Sequence, residues 1–241
     1  TECDKLEVIL YKTILPKMGV NRHIAKVYRY GPISSQGLAC PNIYTEQGIA
    51  QLQLLLDHGG LTTQCGILLS ACYESSTLET GSAFPMFDLP YAKYQTLTTQ
   101  SYLKSIWEFK SKKQISLCTN ITQPLIHRQN DRFIMDAVIS ASIFNKKEIR
   151  YINHCRVFLQ VLTLSDITNS KGDVITDSSY EVKKDINRHS NYKWPYIPSP
   201  TPIMIKSWQK ALGIFTKNGK NTTHPPTRNN KQITSDTDIN H

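Results

Sequence analysis

The stretch that decides the fold runs from residue 145 to residue 166 and reads NKKEIRYINHCRVFLQVLTLSD. Its start fits a capping box, in which the Asn145 side chain caps the first turn of a helix and Glu148 reaches back to the cap. A strong helical period follows, at i, i+4, i+7 and i+11, in Tyr151, Cys155, Phe158 and Leu162. We therefore predict a helix here, the second arm of a helical hairpin over residues 130–163, and we interpret Ser165–Asp166 as a cap or turn.

Helical periodicity also marks the sequence on both sides of this stretch. It predicts helices over residues 5–15, from Thr45, after Thr63, over residues 99–110 and from Pro202. Five of the predicted helices, including the first arm of the hairpin, have an apolar face. In chain order these faces are Ile49, Leu52 and Leu56; Ile67, Leu68, Ala71 and Cys72; Leu103, Ile106 and Trp107; Ile134, Val138 and Ala141 (the first hairpin arm); and Ile205, Trp208 and Leu212.

Three segments lack this period. Residues 24–30 favour a short strand, residues 75–98 are rich in turn-forming residues and favour a long loop, and almost no apolar residue follows Lys217. The sequence thus predicts a mainly α fold, a helical domain with a few short extended segments and a disordered C-terminal tail. The predicted boundaries are 1–60, 61–214 and 215–241.

The composition suits a folded protein with a basic surface. Of 241 residues, 39% are hydrophobic, and 28 Lys and Arg against 19 Asp and Glu give a net charge of +9. This balance permits contact with nucleic acid or an anionic membrane. No run of about 18 apolar residues occurs, so we predict no membrane partner. The chain begins at Thr1 rather than Met, which indicates a processed product or a fragment of something longer.

Residue patterns that carry catalysis or bind metals are missing. The six cysteines show no C-x-x-C pair, which predicts reduced, buried thiols of an intracellular protein and no zinc site. The loop YGPISSQG at 30–37 precedes a predicted helix, yet no Lys-Ser or Lys-Thr follows its glycines, so a nucleotide cradle is disfavoured. Asp131 and Asp136 lie five residues apart and share no helix face. We assign no catalytic residue, metal ligand or cofactor to this chain.

The segment from Val8 to Thr45 contains no Asp or Glu, yet it is rich in cations and tyrosines. Cations that follow a phosphate backbone, with rings that stack on bases, are typical of nucleic-acid binding. The alternative is a solvated basic face without a partner. The candidate nucleic-acid-binding residues are Lys12, Lys17, Arg22, Lys26, Tyr28, Arg29 and Tyr30. We interpret a second basic cluster as a solvated helix face: Lys146, Lys147, Arg150 and Arg156.

An ordered set of short blocks spans the chain from about Leu6 to about Leu212. The blocks are LPKMG (15–19), NRH (21–23), YGP (30–32), GL (37–38), IYTEQGIAQLQLLLDH (43–58), NDRFIMDAVI (130–139), INHCRVFLQVLTLSDIT (152–168) and WP (194–195). In order and spacing they resemble the region downstream of the polymerase core in reverse transcriptases of non-LTR, LINE-like retroelements.

The resemblance implies a helical, thumb-like region that holds the template–product duplex by its backbone. The RNA-directed DNA polymerase core would lie upstream, and its paired aspartates would bind Mg²⁺; that motif is absent here. The implied partners are an RNA or DNA template or a hybrid duplex, together with the upstream core, in cytoplasm or nucleus. The family loop usually has a Gly-Gly pair, whereas Gln36 precedes Gly37 here, and Gln36 restricts a position that we expect to need a positive φ.

Two other functions remain open alongside a nucleic-acid-binding retrotransposon fragment. One is a helical protein-interaction module, or a nonfunctional relic of a retroelement, whose basic charge is only a solvated surface. In that case we expect exposed apolar surface on the helix over 147–162 and self-association. The other is an unrelated intracellular enzyme whose site does not stand out in the sequence; it would show metal-dependent nuclease or polymerase activity.

Overall fold

The structure, a computed structural model, describes residues 2–121, 125, 127–128, 131–184, 192–216, 221–222 and 232–233. These residues form eleven α-helices, two short 3-10 helices and one pair of two-residue strands, which confirms the predicted mainly α fold. The chain divides into two compact units, Thr1–Asp57 and His58–His241, called here the N-terminal and C-terminal units. Most of the predicted disordered tail, 215–241, lies outside the described residues. No helix among those residues is both long and apolar enough to cross a membrane.

The N-terminal unit consists of α1 (Glu2–Lys17), α2 (Lys26–Tyr30), a 3-10 turn (Ile33–Ser35) and α3 (Ile43–His58). The predicted helix over 5–15 is confirmed. The predicted strand over 24–30 is wrong, because the following loop turns back and its N–H groups bond to carbonyls of α2, which holds that segment helical. The predicted α3 face is out of phase: Leu55 is buried, whereas Ile49 and Leu56 are exposed.

The C-terminal unit holds the larger core. Its helices are α4 (Gln64–Thr80), a 3-10 turn (Met86–Asp88), α5 (Tyr91–Tyr94), α6 (Tyr102–Lys113), α7 (Ile134–Ala141), α8 (Lys146–Leu159), α9 (Leu164–Ile167), α10 (Asp177–Tyr180) and α11 (Pro202–Leu212). Helix α8 packs against α4, α7 and α11. Strands β1 (His127–Arg128) and β2 (Gln232–Ile233) pair antiparallel. Trp107, Trp208 and Phe215 are the largest aromatic side chains of the core, each almost fully buried.

Helix α8 begins as its sequence predicts. Asn145 Oδ1 accepts from the N–H of Glu148 at 2.9 Å, and Glu148 Oε2 accepts from the N–H of Asn145 at 2.9 Å, which confirms the capping box. The helix ends at Leu159, and Gln160 adopts a left-handed φ of 59°. Leu162 therefore lies beyond the helix, although it is buried. The buried face of α8 includes Ile152, Cys155, Arg156 and Leu159, and the predicted positions Tyr151 and Phe158 lie at its half-buried edges.

Helix α4 extends into the segment predicted as a loop. It starts at its predicted cap, where Thr63 Oγ1 accepts from Gly66 N at 3.2 Å, but it continues to Thr80. The predicted apolar face is wrong, since Ile67, Leu68, Ala71 and Cys72 are all exposed. The last turns are buried despite their polar composition, because Thr77 and Thr80 hydroxyls bond to backbone carbonyls within the helix.

The six cysteines are free, but they are not uniformly buried. Cys155 is fully buried in α8, and burial raises the pKa of its thiol to about 12. Cys72 and Cys118 are exposed, so the prediction of buried thiols is wrong for these two. At neutral pH the Cys155 thiol is protonated and unreactive, since the thiolate is the nucleophile.

Arg156 was predicted on a solvated face, but it is fully buried. Its Nη2 donates to the carbonyls of Leu78 and Glu79, its Nη1 to Val161 O at 3.1 Å, and its Nε to Asn153 Oδ1 at 2.9 Å. Leu78 and Glu79 lie in the last turn of α4, where carbonyls lack partners within the helix. The guanidinium therefore completes the C-terminus of α4 and joins it to α8.

The groups around Arg156 keep its guanidinium charged and pack closely against it. Burial lowers the pKa of Arg156 to about 9, and the carboxylates of Glu79, Asp166 and Asp136 oppose that shift, so the side chain is charged at neutral pH. The Trp194 ring centre lies 5.8 Å from its Cζ. Gly81 follows α4 with a φ of +60°, and a Cβ there would lie 2.5 Å from the same Cζ. Only glycine fits this position.

Replacing Arg156 with Met should lower the free energy of unfolding of the C-terminal unit by ~3 kcal/mol or more, because several buried carbonyls lose their donor. Arg150 is exposed on the same helix, so Arg150→Met should change it by less than ~0.5 kcal/mol. Denaturant unfolding followed by tryptophan fluorescence measures both, since all three Trp residues lie in this unit. Equal losses in the two variants would contradict this role of Arg156.

Candidate nucleic-acid interface

The predicted interface lies on α1, α2 and the turn between them. Five of its seven residues are exposed, namely Lys12, Lys17, Arg22, Lys26 and Tyr28. Gly19, at a φ of +70°, turns the chain after α1. The acidic residues of the N-terminal unit lie outside the segment from 8 to 45, at Glu2, Asp4, Glu7, Glu46 and Asp57. Positive charge in this unit is thus concentrated on one part of the chain, with one exposed aromatic ring among the cations.

Arg29 and Tyr30 are half-buried in the N-terminal unit, where their side chains pack against α1, unlike the five exposed residues. The Arg29 guanidinium packs on two rings, with its Cζ 5.1 Å from the centre of Tyr11 and 5.8 Å from that of Tyr30. Its Nη2 also donates to Ile24 O at 3.4 Å. The two rings meet edge to face, 6.2 Å apart. This stack holds α1 against α2, so Arg29 and Tyr30 position the surface and leave Tyr28 as the ring free to stack on a base.

Glu7 organises the same interior and was not singled out from the sequence. Its carboxylate is buried and accepts from Tyr30 OH at 2.7 Å, Asn42 Nδ2 at 3.1 Å and Ile43 N at 3.1 Å. It therefore joins α1 to α2 and to the start of α3. Burial raises the pKa of Tyr11 to about 12 and also raises that of Tyr30, so both phenols stay neutral and donate hydrogen bonds. No local pattern marks Glu7, because its partners lie 23 to 36 residues further along the chain.

The loop after α2 uses its own N–H groups internally. Every N–H from residue 35 to residue 40 donates to a backbone carbonyl, among them Leu38 to Tyr28 at 2.8 Å and Cys40 to Arg29 at 2.9 Å. A Cβ on Gly37 would lie 2.1 Å from Gly31 O, so the two glycines permit direct backbone packing. A phosphate cradle requires N–H groups that point at the ligand. Residues 35–40 offer none, and the loop acts as a clasp over α2.

The aspartates considered as catalytic candidates have structural partners. Asp131 accepts from the backbone and hydroxyl of Ser165, and Asp136 accepts from Ala83 N at 2.9 Å and Tyr94 OH at 2.8 Å. Asp166 belongs to the capping box at the start of α9, which agrees with its interpretation as a cap. Among the described residues, no group of three or more His, Cys, Asp or Glu side chains is placed to hold a metal ion.

Comparison with protein-family models, curated proteins and solved structures finds no match to this chain.

Gln36 has a φ of 62°, which confirms the expected positive φ at the position where the resembling loop usually has glycine. Gln36→Gly should stabilise the clasp by ~0.5–1 kcal/mol, because a left-handed conformation is strained for a residue with a Cβ. Amide exchange of Leu38 and Cys40 should then slow about 2- to 5-fold. The matched change Gln53→Gly, in the middle of α3, should not slow it. Unchanged or faster exchange in Gln36→Gly would contradict this account.

Proposed function

We propose that this chain is a non-catalytic C-terminal region of a retroelement reverse-transcriptase-like protein, and that its N-terminal unit contacts the nucleic-acid backbone. The observation that carries the proposal is the acid-free segment, in which four of the five cations, Lys12, Lys17, Arg22 and Lys26, are exposed, as is the ring of Tyr28. Long flexible cations bind phosphates without reading sequence, and a ring stacks on any base. These features suit a single strand or an RNA–DNA hybrid.

The parent protein, on this proposal, supplies the chemistry from an upstream polymerase core with bound Mg²⁺. This chain contributes affinity and position. Arg29 and Tyr30, which the sequence placed among the contact residues, keep the surface in shape through the stack with Tyr11. The contact surface proposed here therefore comprises the four exposed cations and Tyr28.

Changing Lys12, Lys17, Arg22 and Lys26 together to Gln should weaken binding of an RNA–DNA hybrid. Each lost phosphate contact lowers the steepness of log K against log salt by ~0.9 for a duplex, so the loss of four contacts should lower it by about 3.6. Fluorescence anisotropy at several salt concentrations measures it. The hybrid should lack terminal phosphates.

The matched control changes Lys113, Lys171, Lys184 and Lys206 to Gln, which removes the same charge from exposed positions of the C-terminal unit. The control should keep most of the slope. If the salt dependence falls equally in both variants, binding depends on net charge alone. Wild-type binding that does not weaken as salt rises would contradict the proposal outright.

A second candidate function, a helical interaction module, is favoured by a different observation. Helix α1 exposes apolar side chains at i, i+3, i+4 and i+8, with Leu6 at 58% and Ile9 at 64% exposure, followed by Leu10 and Ile14. Such a stripe is a usual protein-contact face. For this function we expect, from the sequence, an exposed apolar face on α8. That expectation is wrong, since most apolar residues of α8 are buried.

If α1 acts as a contact face, the chain should self-associate, and Leu6→Asp with Ile9→Asp should render it monomeric, because charges would line the interface. Sedimentation velocity over a range of protein concentrations measures the change. The control, Val27→Asp, alters an exposed apolar residue on α2. A wild-type chain that stays monomeric at every concentration would contradict self-association through α1.

A further inference from the structure

A half-open groove of about 860 Å³ lies in the C-terminal unit. Residues from five separate stretches line it: the end of α4, residues 96–99, the length of α8, residues 195–197 and Met204 of α11. Its volume falls in the range of ~300–1,000 Å³ typical of sites for small molecules. Polar, cationic and apolar side chains all line this one groove.

Cations line the part of the groove formed by the first turns of α8. Lys146, Lys147 and Arg150 are exposed and make no ion pair with any described residue. The acid on the same turn, Glu148, is bonded to Lys210 at 2.9 Å and lies outside the groove lining. Lys147 Nζ lies 5.7 Å from the centre of the Tyr151 ring, which places a positive charge beside an aromatic wall. This part of the groove suits an anionic group.

Lys104 adds a further cation behind the lining. Its Nζ donates to Thr98 O at 2.7 Å. Burial lowers the pKa of Lys104, Glu79 and Glu108 oppose the shift, and Arg150 lowers it further, so the charges of Lys104 and Arg150 act on each other. The one carboxylate in the lining, Glu79, is already bonded to the backbone N–H of Thr99 at 2.9 Å and to its hydroxyl. An anion between these cations would relieve their mutual repulsion.

The Thr98 hydroxyl is the second, independent sign of a ligand. Thr98 lines the groove, is 94% buried, and its Oγ1 has no hydrogen-bond partner among the described residues. Buried hydroxyls are nearly always bonded, so this shielded oxygen in a lining residue is an unmet hydrogen bond, which a ligand group reaches once the Thr98 side chain turns toward the groove. Nothing else in the described chain uses this atom.

Another part of the lining is apolar and partly aromatic, formed by Tyr151, Val157, Pro195, Ile197 and Met204, while Thr96, Thr99, Asn153 and His154 add polar groups. A flat ring would bury its faces against this wall, and aromatic side chains stack on bases of any kind. A bare inorganic anion would leave the wall uncovered, and a fatty acid would leave Thr98 Oγ1 unpaired. The cations, the apolar wall and the Thr98 hydroxyl together suit a ligand that has a phosphate, a planar ring and a polar group between them.

We propose that this groove binds a nucleoside monophosphate, with its phosphate at Lys146, Lys147 and Arg150, its base on the apolar wall beside Tyr151, and a sugar or base polar atom at Thr98 Oγ1. The ligand is either a free nucleotide or the phosphorylated end of a strand, which share this chemistry. The site is separate from the surface on α1 and α2 and does not depend on it.

Titration calorimetry of the full chain with AMP, adenosine and inorganic phosphate tests the site. We expect AMP to bind at least ~10-fold more tightly than adenosine or phosphate, because only AMP occupies both walls. Arg150→Gln should weaken AMP binding ~10-fold or more, and Lys206→Gln, an exposed lysine of α11 outside the groove, should leave it unchanged.

Thr98→Val separates binding from folding. Because Oγ1 has no partner among the residues that the structure describes, the change should leave the melting temperature unchanged or raised, yet weaken AMP binding about 3- to 10-fold. A lowered melting temperature with unchanged AMP affinity would overturn the role of Thr98. No saturable AMP binding by the wild-type chain, or binding unaffected by Arg150→Gln, would overturn the site itself.

Competition distinguishes the two sources of the ligand. If a 5′-phosphorylated oligonucleotide displaces AMP and its 5′-hydroxyl counterpart does not, the site takes strand ends; if neither does, it takes free nucleotides. The variant lacking the α1 and α2 cations should bind AMP normally. Loss of AMP binding in that variant would contradict a separate site. Normal AMP binding by the wild-type chain without any hybrid binding would contradict only the proposed backbone contact.

Discussion

The fold of the C-terminal unit depends on one fully buried cation, the Arg156 guanidinium. Burying a charge is costly unless its hydrogen bonds are satisfied, and here each nitrogen donates to an oxygen of the chain. The accepting carbonyls of Leu78 and Glu79 lie in the last turn of α4, so the arginine supplements the left-handed Gly81 C-cap, whose N–H bonds to Thr77 O. Glu79 also lines the groove, so the groove lies next to the residue whose carbonyl accepts from Arg156.

The sequence predicts those elements whose local signals agree with their packing. The capping box of α8, the Thr63 cap of α4 and the Pro202 start of α11 all appear where expected, since caps are read within four residues. It mispredicts the end of α4, because Ser, Thr and Glu are typical of loops, whereas here the Thr77 and Thr80 hydroxyls bond within the helix and Glu79 bonds to Thr99. The burial of Arg156 depends on carbonyls 77 and 78 residues away, and no local period reveals such a contact.

The sequence likewise predicts only part of the candidate interface. Its exposed cations follow from an acid-free segment, a property of the local sequence. The inward positions of Arg29 and Tyr30 do not, because they depend on Glu7 and Tyr11 of another helix. The groove could not be predicted from the sequence for the same reason, because its lining comes from five separate stretches. In the sequence of α8 alone, Lys146 and Lys147 are typical of an ordinary solvated helix face. Surface charge is readable from sequence here, whereas a site built by tertiary contact is not.

In the proposed function, the exposed cations of α1 and α2 hold a nucleic-acid backbone. An NMR titration of the isotopically labelled chain with an RNA–DNA hybrid lacking terminal phosphates tests it most directly. We predict shift changes at Lys12, Lys17, Arg22, Lys26 and Tyr28 that fade as salt is raised, with little change in the C-terminal unit. Shift changes confined to the C-terminal unit, or none at low salt, would contradict the account.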